Sequence, residues 1–207
     1  MQPSKFCAML NPEVTDMRVL CFGDSNTYGY DPRSYFGSRY DSQNRWVDLL
    51  AAKTGWELLN AGQNGREIPR RTHELQQIRQ LLNLSGPVDA MLIMLGDNDL
   101  LQGASVEAVT ARMRTFLTQL PHTCGKIVLV SPPPLKPGTW ISSPQTLEDV
   151  RILSSCYQTL AEQLHIHFIS TLDWNLELTF DGVHFSEKDH AQFSEKLFAA
   201  LTELSIL

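Results

Sequence analysis

Short apolar runs alternate along the chain with longer segments whose apolar residues recur at helical spacing. That alternation predicts strands interleaved with helices. The first strand covers about residues 17–22 and leads through Val19-Leu20-Cys21-Phe22 into Gly23. Further strands are expected at 56–60, 88–95, 126–130 and 165–169. Residues 90–95 are apolar at every position, as a central strand buried on both faces should be. Helices are expected from Trp46 to a stop at Gly55, and after Pro69 through Leu75, Ile78, Leu81 and Leu82 to Ser85-Gly86-Pro87. Others run from a Ser105 cap to Pro121, over about 144–164 and over about 186–204. Such an order implies a parallel sheet covered on both faces, in a single domain over residues 1–207.

The segments outside this pattern carry their own information. Residues 1–16 form a polar, Pro-interrupted arm, placed against the body or a partner subunit. Residues 28–44 lack periodicity but hold Tyr30, Tyr35, Phe36 and Tyr40, more aromatic surface than a plain linker needs. A loop this long inside a compact domain serves a site or an interface. Residues 131–138 contain three adjacent prolines, which rule out regular structure and stiffen the loop. Both loops suit subunit contacts, and a homo-oligomer is expected.

Composition narrows the class. A chain of 207 residues suffices for one sizeable core. The net charge of −6, with no basic run, argues against nucleic acid or an anionic membrane surface as partner. Cys7, Cys21, Cys124 and Cys156 lack C-x-x-C or zinc-type spacing and read as reduced, buried thiols. The first residues lack the apolar segment of a signal peptide, and no apolar run approaches a membrane span. A soluble, cytoplasmic protein is expected.

In a doubly wound sheet, the carboxyl ends of the strands share one rim, and sites sit there. The segments at that rim offer Ser25, the backbone amides around Gly65, Asn98, and Asp181-Gly182-Val183-His184. These are a nucleophile, donors for an oxyanion, a base and a carboxylate to orient it. Three residues apart in a Gly-containing turn, Asp181 can reach His184 and set its tautomer, leaving the other ring nitrogen for the Ser25 proton. Each element has a plainer reading. Ser25 could cap the next helix, Asn98 and Gly65 could be turn residues, and D-x-x-H pairs occur as surface contacts. The α/β-hydrolase elbow is excluded, because Gly23-Asp24-Ser25-Asn26-Thr27 ends in threonine instead of glycine. Walker, G-x-G-x-x-G and H-E-x-x-H patterns are absent.

Gly23-Asp24-Ser25, Gly65, Gly96-x-Asn98-Asp99 and Asp181-x-x-His184 together resemble the four blocks of the SGNH (GDSL-type) hydrolases, in the family's order. The likeness covers nearly the whole chain and is nearest the bacterial arylesterase/acyltransferase branch, through Arg45-Trp46 and Val128-Leu129-Val130-Ser131-Pro132-Pro133-Pro134-Leu135 among others. It implies a flavodoxin-like three-layer α/β/α sandwich with a five-stranded parallel sheet, and no cofactor or metal. It also implies Ser25 as nucleophile, His184 as base and Asp181 as its orienter. The amides of Ser25, Gly65 and the Asn98 side chain would form the oxyanion hole. The substrate expected is a small short-acyl ester, with acyl transfer as an extension. A carbohydrate O-deacetylase and a non-catalytic binding module are the alternatives. Asn26 stands where the family has leucine, and Tyr28 and Tyr30 where the branch often has tryptophan, so these residues are expected to border the acyl pocket.

Among the remaining candidates, Trp140 and Trp174 flank the rim as pocket walls or packing residues. Asp24 could support the nucleophile's loop, and Arg45 and Arg66 could brace loops or select substrate. His165 and His167 alternate on an expected strand and take structural roles, there being no further ligand beside them. His190, at the start of the last helix, reads as solvated surface.

Overall fold

The computed structural model describes residues 17–121, 124–141 and 143–206. The arm at 1–16 and Cys7 lie outside the described residues.

Five strands form one all-parallel sheet, β1 (Arg18–Gly23), β2 (Glu57–Gly62), β3 (Ala90–Met94), β4 (Lys126–Val130) and β5 (His167–Ile169), in the order β2-β1-β3-β4-β5. This is the flavodoxin-like order, with its switch point between β1 and β3. Along β1 the side chains alternate between two cores. Leu20 and Phe22 join Met91, Ile93 and Leu129 on one face, while Val19 and Cys21 join Leu92, Met94 and Val128 on the other. The first face is covered by α3 (Thr72–Ser85), α5 (Val106–Thr118) and α6 (Pro144–Leu164). The second is covered by α2 (Trp46–Thr54) and α7 (Glu187–Glu203). The result is a three-layer α/β/α sandwich.

Local chemistry sets the helix ends. Ser105 accepts a hydrogen bond from the Ala108 N–H at the start of α5, and Ser186 and Asp189 form a reciprocal capping box at α7. Gly55 closes α2 in the left-handed conformation, as its position predicts. The helix at Pro144–Leu164 spans the expected residues. No helix among the described residues is long and apolar enough to cross a membrane.

Several expectations need correction. His165 adopts a left-handed cap on α6 with φ 53°, so β5 begins only at His167 and the two histidines share no strand face. Two short helices, α1 (Ser25–Tyr28) and α4 (Asp97–Leu101), stand immediately beyond β1 and β3, outside the helices that the periodicity predicts. They are too short to produce periodicity. In the 131–138 loop Ser131, Pro132, Pro133 and Leu135 are buried within this chain, while Lys136 and Pro137 are exposed. On the 28–44 loop, Tyr35 and Phe36 do stand free, 94% and 90% exposed. Among the described residues, Cys21 and Cys124 are buried free thiols and Cys156 is a half-buried one.

His190 is fully buried instead of solvated. It faces the rings of Phe185 and Tyr40 at 5.2 and 5.4 Å, and its Nδ1 accepts a long hydrogen bond from the Trp46 N–H at 3.4 Å. Burial pushes its pKa from 6.5 down to about 3, with Asp189 opposing and Arg45 and His184 adding to the drop. Between those values the unfolded chain binds a proton that the folded protein refuses, so stability falls as pH drops from 6.5 toward 3. His190→Phe is expected to flatten that decline by up to ~1.4 kcal/mol per pH unit. Urea denaturation across the window checks it, and identical slopes for variant and wild type would contradict it.

Candidate active site

The first loop begins where β1 runs out of apolar residues. Asp24 caps α1, its Oδ1 accepting the Asn26 N–H at 2.8 Å. The cap role considered for Ser25 thus belongs to Asp24. Ser25 becomes the first helical residue, and its N–H is not engaged by any other described residue. Its side chain is free for chemistry.

The second loop is organised by one carboxylate. Oδ1 of Asp181 accepts from the N–H groups of Val183 (2.9 Å) and His184 (3.0 Å) and from the Thr179 hydroxyl (2.9 Å). Its Oδ2 lies 2.6 Å from His184 Nδ1. Burial alone would raise the Asp181 pKa, but the bonds from the His184 ring and from the two backbone N–H groups outweigh it and hold the group well below the carboxylate range. Asp181 therefore stays ionised and accepts the hydrogen bond from Nδ1–H, which leaves Nε2 as an acceptor. Nε2 faces Ser25 Oγ at 3.0 Å. Residues separated by 159 positions meet in line. The proline-rich loop supports this turn from behind, through Lys136 N–H to Gly182 O (3.0 Å) and Trp140 N–H to Asp181 O (3.2 Å).

The third element is the turn after β2. Gly62 pairs with Gly23 across the sheet, and a Cβ on it would sit 2.1 Å from the Tyr28 backbone nitrogen, so glycine is required for α1 to approach. Gly65 has φ +67° and an N–H that no other described residue engages. Arg66 closes the turn by donating to the carbonyls of Gly23 (2.7 Å) and Ala61 while its guanidinium lies over the Phe22 ring. Asn98, on α4, donates one amide hydrogen to Arg66 O at 3.1 Å, which sets the amide beside the Gly65 turn with its second hydrogen to spare. Asp99 anchors the same loop from below, accepting from the Ile68 N–H (2.9 Å) and from Arg112 (2.7 Å).

The expected pocket residues divide. Tyr30 and Trp140 pack against the His184 ring, with centroids at 4.8 and 4.9 Å. Tyr28 lies beneath Arg39, whose guanidinium carbon is 4.7 Å from its ring centre. Asn26 is engaged at both ends of its side-chain amide. It is buried, its Nδ2 donates to Val183 O (3.0 Å), and its Oδ1 accepts the Phe185 N–H (2.9 Å). Its polar ends clamp the serine's helix to the histidine's loop, which an aliphatic residue could not do. Trp174 packs edge-on against Phe193 in the second core, and Arg45 pairs with Asp48 at 2.7 Å. Among the described residues no group of three or more His, Cys, Asp or Glu could hold a metal ion.

Asn26→Ala would strand a buried carbonyl and a buried N–H. It is expected to lower stability by about 2–4 kcal/mol and to slow turnover beyond the loss of folded protein. Chemical denaturation with parallel assays checks this; a change below ~0.5 kcal/mol, the range of an ordinary surface substitution, would contradict it.

Residues 21–192 match the GDSL-like Lipase/Acylhydrolase family. Comparison with curated proteins finds no match. Among solved structures, the native aryl esterase of M. smegmatis is 25% identical, with a TM-score of 0.75 over 92% of this chain and 100% of its own. A carbohydrate acetylesterase from Sinorhizobium meliloti is also 25% identical, with a TM-score of 0.74 over 91% of this chain and 99% of its own. With the match extending from Cys21 in β1 past the Asp181–His184 turn, the chain belongs to the GDSL-like lipase/acylhydrolase family.

Proposed function

We propose that the protein is a serine esterase that cleaves small, short-acyl carboxylic esters through an acyl-enzyme. The observation that carries this reading is the contact line from Ser25 Oγ to His184 Nε2 (3.0 Å) and from His184 Nδ1 to Asp181 (2.6 Å). Ser25 Oγ attacks the ester carbonyl as its proton passes to Nε2, and Asp181 stabilises the imidazolium that forms. The carbonyl oxygen gains charge and is met by the Ser25 N–H, the Gly65 N–H and the free hydrogen of the Asn98 amide. Collapse expels the alcohol, which takes the proton from His184. Water then repeats the sequence and releases the acid. An alcohol competing with that water would give acyl transfer.

The rings of Tyr30 and Trp140 against the imidazole suit a flat or ring-shaped leaving group. An aryl alcohol and a sugar both fit that description, and the two solved relatives above are an aryl esterase and a carbohydrate acetylesterase. Aryl ester hydrolysis is the first reading and sugar O-deacetylation the second. A panel of p-nitrophenyl esters of increasing acyl length, run beside acetylated sugars, separates them. Short aryl esters are expected to turn over fastest, and much faster turnover of acetylated sugars would favour the second. In either case Ser25→Ala is expected to lose roughly 10⁴-fold or more in kcat. A folded Ser25→Ala variant with near wild-type turnover would end the esterase reading.

A further inference from the structure

Asp24 and Asp97 occupy adjoining turns. β1 and β3 are neighbours, with Gly23 opposite Met94, so Asp24 just beyond β1 and Asp97 at the start of α4 come together at the rim. Both are buried, 1% and 3% exposed, and their carboxyl groups come within reach of each other. Each also accepts one backbone N–H, Asp24 from Asn26 (2.8 Å) and Asp97 from Asn98 (2.9 Å). Neither forms an ion pair with any described Lys, Arg or His. Arg66 is the nearby cation, but its N–H groups are directed at Gly23 O, Ala61 O and the Gln63 side chain. Two buried carboxylates this close, with no Lys, Arg or His salt-bridged to either among the described residues, oppose each other's ionisation.

We propose that Asp24 and Asp97 share one proton, and that the resulting carboxyl–carboxylate hydrogen bond positions the nucleophile's turn against the turn that carries Asn98. Resting on the esterase reading above, this makes both aspartates positioning residues. Asp24 precedes Ser25 and Asp97 precedes Asn98, so the bond holds two of the three oxyanion donors at a set separation. A site of this kind loses rate steeply when donors shift by a fraction of an ångström.

The surroundings favour retention of the proton. Burial, then the negative charge of Asp97, raise the Asp24 pKa well above the carboxylate range, while the Asn26 N–H and Arg66 pull the other way. From α6, Tyr157 faces Asp97 and Asp99; its burial and those carboxylates push the phenol up as well, so it stays neutral. As pH rises the shared proton leaves, two negative charges face each other, and the turns separate. The pair therefore contributes an alkaline loss of kcat that His184 does not cause.

Infrared spectroscopy of the unliganded full chain, paired with kcat against pH, tests this. The wild type is expected to show the carbonyl stretch of a protonated carboxyl at neutral pH, disappearing at alkaline pH in step with kcat. Asp97→Asn supplies a donor hydrogen that does not titrate, so the band should vanish and the alkaline fall in kcat with it. Asp97→Ala should lower kcat about 10- to 100-fold with a smaller change in KM. Absence of the band from the wild type at neutral pH would overturn the proposal, as would an Asp97→Asn variant that keeps the wild-type alkaline limb. The infrared reading needs no turnover. A chain without esterase activity would defeat the esterase reading and leave the shared proton to be judged on the spectrum.

Discussion

The site depends on parallel register. β1 lies between β2 and β3, with Gly23 opposite both Gly62 and Met94. Three chain segments therefore leave the sheet at one level and in one direction. Sheet pairing, bought by burial of apolar residues on both faces, is what brings Ser25, Gly65 and Asn98 to a single rim. No contact among the three residues themselves could assemble them, since each sits on a polar segment with little apolar area to bury.

Register sets the level of the segments, and hydrogen bonds from buried side chains to backbone set their orientation. Asn26 joins α1 to the Val183–Phe185 backbone, Arg66 joins the Gly65 turn to the end of β1, and Asn98 joins α4 to that turn. Each bond leaves water behind when it forms, and each would expose a buried unpaired group if lost. Loops tied this way are set before substrate arrives, which suits electrostatic stabilisation of a transition state. The Asp181 carboxylate follows the same rule, since its hydrogen bonds hold both the turn and the imbalance of charge that the imidazole needs.

Legibility in the sequence followed the physics of each feature. Strands and long helices could be read because burial leaves a period in the chain; α6, with Pro144 at its start, is the clearest case. Ser25, Asp181 and His184 could be read because their types and order match a known set of blocks. Helices α1 and α4 could not, because a single turn has no period to detect. His190 was misread although it continues a stripe through Phe193, Leu197 and Leu201, since its polarity outweighed its spacing. The clamp at Asn26 and the Asp24–Asp97 contact depend on which segments meet in space, and neither partner's neighbourhood in the chain hints at the other. Tyr30 and Trp140, whose rings pack on His184, could be singled out only because of their loops' position at the rim.

The most direct measurement is a crystal structure of the enzyme after reaction with a small phosphonate ester, whose tetrahedral phosphorus stands in for the carbon under attack. The phosphorus should be bonded to Ser25 Oγ, with its non-ester oxygen about 3 Å from the Ser25 nitrogen, the Gly65 nitrogen and Asn98 Nδ2. An adduct on another residue, or a phosphonyl oxygen turned to solvent away from those three nitrogens, would contradict the assignment.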